Sequence, residues 1–242
     1  MIAPEGDDIG PGGPPILAID TSTARAAVAL GWPGGPILSA PPDPGRRHGR
    51  GLIPAVAALL AAAGRTTADL RAIAVGTGPG SYTGLRIGLT AAKTLAYASG
   101  KVLVGLDSLE AIARNAPEDA LRVAVAVDAQ RGDAYVAEFA RELPGGPLVR
   151  RGPTRIEPVG AWADGLAGGT LVLGPAPDRL AVTWPGVIHL GTPDLGQPEG
   201  AVLIALAREA LAAGRGDDPF FLEPVYLRRS AAEDQWDGRK PA

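Results

Sequence analysis

The 242-residue chain contains no cysteine, two histidines and one methionine. The lack of cysteine excludes disulfides, thiol nucleophiles and cysteine-ligated metals, which is typical of a protein from a reducing compartment. Apolar residues nevertheless make up 46% of the chain, enough for a hydrophobic core. No apolar run approaches the roughly 20 residues that cross a bilayer. Residues 1–14 lack the features of a signal peptide and predict a disordered extension. We therefore expect a cytoplasmic protein without membrane contacts.

The chain also lacks an excess of basic residues, since its formal net charge is −3. Proteins that hold nucleic acid by themselves need a basic surface for the phosphates. The arginine clusters at 46–50, 150–151 and 228–229 are short. Such clusters indicate solvated loops or partner contacts rather than a nucleic-acid site.

The most informative segment is the glycine-rich stretch 76–88, which follows an apolar run at 72–75 and leads into a helical pattern. Glycine allows positive φ and close approach of another group, and a helix N-terminus favours phosphate. A tight strand-to-helix turn without a ligand is the alternative. The segment is not a P-loop, because no Gly-Lys-Ser/Thr sequence ends it, and it lacks the glycine order of a dinucleotide fingerprint.

A weak internal repeat relates residues 18–29 to residues 126–137 without a gap. Each copy reads as an apolar strand, an aspartate, a short turn and a second strand. The repeat predicts two related α/β half-domains, at 15–107 and 108–230, that face each other across a crevice. Chance similarity between two hairpins is the alternative. A flexible tail is expected at 231–242.

The periodicity of apolar residues predicts the remaining elements. Helices are expected at about 52–63, 83–99, 108–115 and 200–213, and strands at 16–20, 26–30, 37–40, 72–75, 102–105, 123–128, 170–173 and 187–190. The segment 143–158 is punctuated by proline and glycine, which predicts irregular structure.

The repeat places an aspartate on each wall of the expected crevice. Acids in such a place hold Mg²⁺ and orient water, whereas the alternative is that each acid bonds to an N–H group of its own turn. The candidate nucleotide-binding residues are Asp20, Thr21, Ser22, Gly78, Gly80 and Asp128.

Four stretches together resemble the TsaB (YeaZ) family: 16–22, the loop and helix start at 76–88, 127–132 and 223–228. The resemblance implies a duplicated fold of the actin/Hsp70/sugar-kinase type. It also implies a role in making threonylcarbamoyladenosine next to the tRNA anticodon. The implied partners are the related catalytic subunit TsaD, the ATPase TsaE and, through the complex, tRNA. No cofactor is expected on this chain, and ATP or ADP with Mg²⁺ is expected at the level of the complex.

The TsaD family holds its metal with a His-x-x-x-His pair, and by pattern the equivalent residues here are Ser108 and Ile112. Isoleucine cannot ligate a metal, and the two histidines, His48 and His189, are far apart in sequence. We therefore expect no metal and no catalytic residue on this chain, which would act as a scaffolding and activating subunit. The alternative is a stand-alone ATPase or small-molecule kinase that uses Asp20 and Asp128.

The helices at 52–63 and 83–99 are rich in small residues, which allow another helix to approach closely. The resemblance implies that this pair binds TsaD, and that the chain alone forms a homodimer through the same surface. The expected interface residues are Leu52, Val56, Leu85, Arg86, Gly88, Leu89 and Ala92. The alternative is that the small residues pack on the sheet.

Overall fold

The computed structural model describes residues 13–41, 48–180 and 182–228, with the backbone alone for 48–50 and 179. The strands are β1 (Ile16–Asp20), β2 (Ala27–Gly31), β3 (Ile37–Ser39), β4 (Ala72–Gly76), β5 (Val102–Leu106), β6 (Arg122–Asp128), β7 (Asp133–Ala140), β8 (Val149–Arg150), β9 (Arg155–Pro158), β10 (Leu171–Leu173) and β11 (His189–Leu190). The helices are α1 (His48–Ala62), α2 (Tyr82–Ser99), α3 (Ser108–Ala113), α4 (Val159–Asp164) and α5 (Gly200–Ala212), with single 3-10 turns at Thr67–Asp69 and Pro177–Arg179. Of the predicted extension at 1–14, only residues 13 and 14 are described. The predicted tail at 231–242 lies entirely outside the described residues.

Two mixed sheets repeat one strand order. The first sheet runs β3-β2-β1-β4-β5, and the second runs β8-β7-β6-β10-β11, with β9 also paired to β7. In each sheet a central strand, β1 or β6, is antiparallel to the next strand and parallel to a later one. The duplication expected from 18–29 and 126–137 is therefore confirmed, as is the two-sheet α/β fold of the actin/Hsp70/sugar-kinase type.

Helices cover both faces of the first sheet. For this reason β1 and β4 are buried at every residue. Alternate side chains point to opposite faces. Leu17, Ile19 and Ile73 pack with α1 and α2 in one core cluster. Ile16 and Ala18 pack with α5 in another.

Helix α5 corrects the expected division of the chain. Its residues Leu203, Ile204 and Ala207 pack on the first sheet, although the sequence repeat assigned 108–230 to the second half-domain. Helix α3 does pack on the second sheet, through Leu109 and Ile112. The chain thus returns to its first half after completing the second, because the apolar face of α5 covers strands whose second face would otherwise be exposed.

The expectation of irregular structure at 143–158 was wrong for 149–150 and 155–158, which form β8 and β9. Strands β8 and β9 both pair antiparallel to β7, with Arg150 opposite Phe139 and Ile156 opposite Tyr135. Strands of two and four residues are too short to show a period in sequence, so the neighbouring strand decides their pairing.

In the described ranges no helix is long and apolar enough to cross a bilayer.

Candidate functional site

The turn after β1 is built around a buried carboxylate. Asp20 has no exposed surface. Its Oδ1 accepts a hydrogen bond from the Ser22 N–H at 2.7 Å, and its Oδ2 accepts one from the Ser108 hydroxyl at 2.7 Å. Ser108 Oγ also accepts the Gly78 N–H at 3.1 Å. Burial raises the pKa of Asp20 above its ordinary value, although hydrogen bonds from Ser22 and Ser108 act in the opposite direction. The network ties the turn, the glycine-rich loop and α3 together.

The glycines of the 76–88 segment make room for this turn. A Cβ atom on Gly76 would lie 1.8 Å from Asp20 Oδ2, and one on Gly80 would lie 2.4 Å from the Ser22 carbonyl oxygen. Cβ atoms on Gly84 and Gly88 would lie 2.0 and 2.2 Å from oxygens of Thr21. The Thr21 hydroxyl donates to the Gly84 carbonyl at 2.7 Å. The glycine spacing is therefore explained by close packing of residues 20–22, without a phosphate.

An open cleft of about 630 Å³ lies between the two hairpin turns. It is lined by Ser22, Thr23, Ala24 and Ser81 from the first half, and from the second by Ala126, Val127, Asp128, Gln130, Arg131, Gly132, Asp133, Val159, Pro175, Ala176 and Leu180. Asp128 is exposed there, and its Oδ1 accepts the Gln130 N–H at 2.6 Å. This bond repeats the one between Ser22 and Asp20, so the interpretation of both aspartates as turn acids is confirmed.

Only two of the six predicted crevice residues, Ser22 and Asp128, line this cleft. The placement of the other four in the crevice was wrong. Asp20, Thr21 and Gly78 are buried, and Gly80 is half-buried against Ser22. The reason is the close packing of α2 and α3 on the turn, which a single sequence does not reveal.

Several residues of the cleft are not among the six predicted crevice residues. Gln130 and Arg131 adopt left-handed backbone angles, with φ of 65° and 60°. The Asp133 carboxylate forms an ion pair with Arg228. Ser81 caps α2 by accepting the Gly84 N–H at 3.2 Å. Gly132 also has a positive φ, and this glycine is a sequence signal for the sharp turn that brings these residues to the cleft.

These residues do not fit a hydrolytic Mg²⁺–nucleotide site. Such a site needs carboxylates that converge on one ion. Asp20 faces the interior, where its carboxylate oxygens accept hydrogen bonds from the Ser22 N–H and the Ser108 hydroxyl. The Asp133 carboxylate accepts a hydrogen bond from the Arg228 guanidinium. Asp20 and Asp128 therefore do not face the cleft together.

Ser108 and Ile112, the two residues expected from the sequence pattern to stand in place of a metal-binding pair, have internal roles. Ser108 is buried in the Asp20 network, and Ile112 lies in the core of the second half. His189 belongs to β11, and the His48 side chain lies outside the described atoms. Over the described ranges no group of three or more His, Asp or Glu side chains is arranged to hold a metal.

The predicted partner-binding residues need a correction. Leu52, Val56, Leu89 and Ala92 belong to the core cluster beneath α1 and α2. Leu85 is 1% exposed, and Gly88 packs against Thr21. Of the seven predicted residues, only Arg86 is exposed. The apolar stripe predicted from the sequence is therefore the inner face of the helix pair. A face that packs on a sheet and a face that binds a partner are both apolar, so the sequence alone does not distinguish them.

The outer face of α1 is nevertheless apolar. Over residues 51–62 the exposed side chains of α1 are Ile53, Pro54, Ala57, Ala58, Ala61 and Ala62, and Ile53 is 52% exposed. Between α1 and α2 lies a shallow groove of about 540 Å³, lined by Leu52, Ile53, Arg86, Ile87, Thr90, Ala91, Thr94 and Leu95. We call this outer surface the docking face.

The segment 217–228, which we call the C-terminal strap, runs beside α2. The Val225 N–H donates to the Thr77 carbonyl in the glycine-rich loop at 2.8 Å. The Lys93 ammonium donates to the Leu222 carbonyl at 3.0 Å. The strap then reaches the second half through the Arg228–Asp133 ion pair. It therefore links the docking face to the rim of the cleft.

Comparisons with known proteins agree with this architecture. A family model for TsaD, tRNA N6-adenosine threonylcarbamoyltransferase, matches residues 39–143. The tRNA threonylcarbamoyladenosine biosynthesis protein TsaB of Escherichia coli is 31% identical over 245 residues, covering 93% of this chain and 99% of the relative. Its counterpart in Bacillus subtilis is 32% identical, covering 91% and 97%. The structure of YeaZ from Pseudomonas aeruginosa matches with a TM-score of 0.71 and 28% identity, covering 87% of this chain and all of the other.

Proposed function

The chain belongs to the TsaB family, and we propose that it is a non-catalytic scaffolding and activating subunit in the synthesis of threonylcarbamoyladenosine on tRNA. In this proposal it binds a TsaD-type catalytic subunit and holds it in a competent geometry. A TsaE-type ATPase joins the pair, and tRNA is bound by the complex. ATP or ADP with Mg²⁺ acts in the assembled complex rather than on this chain alone.

The observation that carries the proposal is the composition of α1. From Gly51 to Ala62 this helix has no polar side chain, yet half of its circumference is exposed. A helix that is apolar on all sides is normally buried on all sides. Small side chains on the exposed half let a second helix approach closely. The docking face therefore fits the helices of another subunit.

The chemistry of the cleft supports an indirect role. The His-x-x-x-His pair that the resemblance assigns to TsaD is replaced by Ser108 and Ile112, which are both buried. The alternative function, a stand-alone ATPase or kinase, would need Asp20 to reach a nucleotide. Asp20 is instead enclosed by Gly76 and Ser108. Nucleotide turnover by the purified chain that disappears in Asp20→Asn would favour that alternative.

Reconstitution tests the proposal directly. Transfer of the threonylcarbamoyl group to tRNA is measured with TsaD-type and TsaE-type proteins and the activated donor, with and without this chain. We expect no modified adenosine from this chain alone and a large gain when it is added to its partners. Equal activity with and without this chain would contradict the proposal.

The docking face is tested by Ile53→Asp. Ile53 is about half exposed in the isolated chain, so the variant should fold. In the complex, however, the new aspartate carboxylate would be buried with no opposite charge to pair with it. We expect loss of co-purification with the TsaD-type subunit and loss of the activity gain. The matched control is Leu143→Asp in the turn after β7, where the side chain is 60% exposed. Equal binding by both variants would show that the partner uses another surface.

A further inference from the structure

Three aromatic side chains are exposed together where the C-terminal end of α2 meets the strap. Phe220 and Phe221 of the strap are 70% and 79% exposed, and Tyr97 of α2 is 68% exposed. The Tyr97 and Phe220 rings meet edge to face, with their centroids 5.3 Å apart. Phe139, the remaining phenylalanine of the chain, is 3% exposed. Single exposed apolar side chains are ordinary, whereas a cluster of them marks an interaction surface. We call Tyr97, Phe220 and Phe221 the aromatic patch.

The turn that carries the two phenylalanines has a fixed backbone. The Asp218 carboxylate accepts the Phe220 N–H at 2.7 Å. The Asp218 carbonyl oxygen accepts the N–H groups of Phe221 and Leu222, at 3.1 and 2.9 Å. Leu222 itself packs against the core cluster beneath α1 and α2. The two rings are therefore presented on an ordered turn, which lowers the entropic cost of binding a partner.

The turn is also joined to the first sheet and to α2. The Asp217 N–H donates to the Leu103 carbonyl of β5 at 2.8 Å, and the Asp217 carboxylate accepts the Gly105 N–H at 2.7 Å. The Lys93 ammonium donates to the Leu222 carbonyl at 3.0 Å. These bonds hold the phenylalanines of the strap beside Tyr97 of α2.

Charges of both signs surround the aromatic patch. The charged residues at 93–101 and 215–223 are Lys93, Lys101, Arg215, Asp217, Asp218 and Glu223. This surface has no excess of basic groups, which a phosphate backbone would require, so RNA is a poor match. Asp218 and Glu223 are exposed on either side of the phenylalanines. A protein that takes the rings into an apolar pocket with a basic rim would match them.

The aromatic patch is distinct from the groove of the docking face. The groove is lined on α2 by residues between Arg86 and Leu95, and its lining does not include the three aromatic residues. Tyr97 lies roughly 16 Å from Arg86 along the helix axis, at about 1.5 Å per residue. The chain therefore presents two apolar surfaces, which fits an assembly with two protein partners.

We propose that the aromatic patch is a second docking site, which binds a protein subunit through an apolar pocket with a basic rim. The inference rests on the proposed function for the identity of that subunit. There the docking face takes the TsaD-type subunit, and the charges of the aromatic patch do not suit tRNA. The aromatic patch is therefore assigned to the TsaE-type ATPase, with Phe220 and Phe221 as the anchors that carry most of the binding energy.

The experiment measures by calorimetry how tightly the purified TsaE-type protein binds the complex of this chain with the TsaD-type subunit, with ATP and Mg²⁺ present. The double variant Phe220→Ser/Phe221→Ser should lower this affinity by about tenfold or more. Glu223→Lys should lower it a few-fold, because it places a cation opposite the basic rim. Affinity of both variants for the TsaD-type subunit should equal that of the wild type.

The matched control is Leu143→Ser/Val187→Ser. These two side chains of the second half are 60% and 58% exposed, so the control removes a similar pair of exposed apolar groups elsewhere. It should bind both partners like the wild type. Thermal melting of both double variants should match that of the wild type, since all four side chains are largely exposed. A lower melting temperature in the phenylalanine variant alone would show that other parts of the chain cover the rings, and would overturn the inference.

The remaining outcomes separate this inference from the proposed function. Wild-type affinity for the TsaE-type protein in the phenylalanine variant, or no binding of that protein by the wild-type complex, would overturn the second site. Loss of TsaD-type binding as well would show that the aromatic patch belongs to the docking face. Weaker self-association in sedimentation, or weaker tRNA retention with TsaE-type binding intact, would identify a second copy or RNA as the occupant, and would also overturn the inference. The proposed function itself fails only if the wild-type chain gives no gain in the reconstituted transfer reaction.

Discussion

The duplication relates two hairpin turns, 20–22 and 128–130. Each turn contains an equivalent hydrogen bond, but the first turn is buried and the second is mostly exposed. In each, an aspartate accepts the N–H of the residue two places later, at 2.7 Å for Asp20 and 2.6 Å for Asp128. The first turn is covered by α2, α3 and the glycine-rich loop, whereas the second is open to the cleft. The same local motif is therefore part of the buried core in the first half and lines the cleft in the second half.

The difference shows why an aspartate after a strand is a weak predictor of chemistry. The hydrogen bond within the turn is local and follows from the Asx-type sequence. Access to the cleft depends on which helix packs against the turn. For Asp20 that helix is α3, which supplies Ser108. Substitutions in one turn at a time test whether the two turns differ in stability as they differ in burial.

The largest expected effect comes from filling the space beside the buried turn. In Gly76→Ala the new Cβ would lie 1.8 Å from Asp20 Oδ2, so the turn or the sheet must shift. We expect a loss of more than about 3 kcal/mol in the free energy of unfolding, measured by urea titration. The control is Gly160→Ala in α4, where a Cβ meets nothing within 4 Å and alanine favours the helix. A Gly76→Ala protein as stable as the control would contradict the proposed packing.

The next effect compares the aspartates themselves. Asp20→Ala removes the acceptor of the buried Ser22 N–H and of the Ser108 hydroxyl, and should cost about 2 kcal/mol. Asp128→Ala exposes the Gln130 N–H to water and should cost less than about 1 kcal/mol. Equal losses in the two variants, measured by the same titration, would mean that the turns are not energetically different.

A smaller effect is expected as coupling within the buried network. Asp20→Ala and Ser108→Ala each break the same hydrogen bond, so the double variant should lose less stability than the sum of the single variants. We expect a coupling of about 1 kcal/mol in a double-mutant cycle. Additive losses would indicate that the Ser108 hydroxyl does not interact with Asp20.

The smallest expected effect is a pH dependence. Burial raises the pKa of Asp20 above 3.8 in the folded state, so the folded protein holds this proton more tightly than the unfolded chain. The stability of the wild type relative to Asp20→Asn should be greatest at pH values below 3.8. It should decrease as pH rises through the folded pKa and become constant above it. Urea unfolding of both proteins between about pH 4 and 8 measures this difference, and a difference that increased with pH would contradict it.

Much of the fold could be predicted because its signals are local. The strand at Ile16–Asp20, the helix Tyr82–Ser99 and its end at Gly100 follow from apolar periodicity, the Ser81 cap and a glycine in left-handed conformation. The repeat of 18–29 at 126–137 was visible as well, and it gave the duplicated architecture. Strands β8 and β9 were not predictable, since pairing with β7 forms them.

The candidate site divides in the same way. Sequence identified the residue types of both turns and the helix pair, because spacing and composition record them. It did not distinguish Leu89, which faces the core, from Ile53, which faces solvent. Both are apolar residues on alanine-rich helices, and only the neighbouring sheet separates them.

Residue identity and order alone account for the duplicated α/β plan, the absence of thiol chemistry and the presence of a serine and an isoleucine at positions 108 and 112. Tertiary packing decides that Asp20 is enclosed while Asp128 is exposed, that α5 returns to the first sheet, and that Arg86 packs against the rings of Tyr82 and Tyr226. Each of these requires contacts between residues distant in the chain, and such contacts depend on packing rather than on local preference.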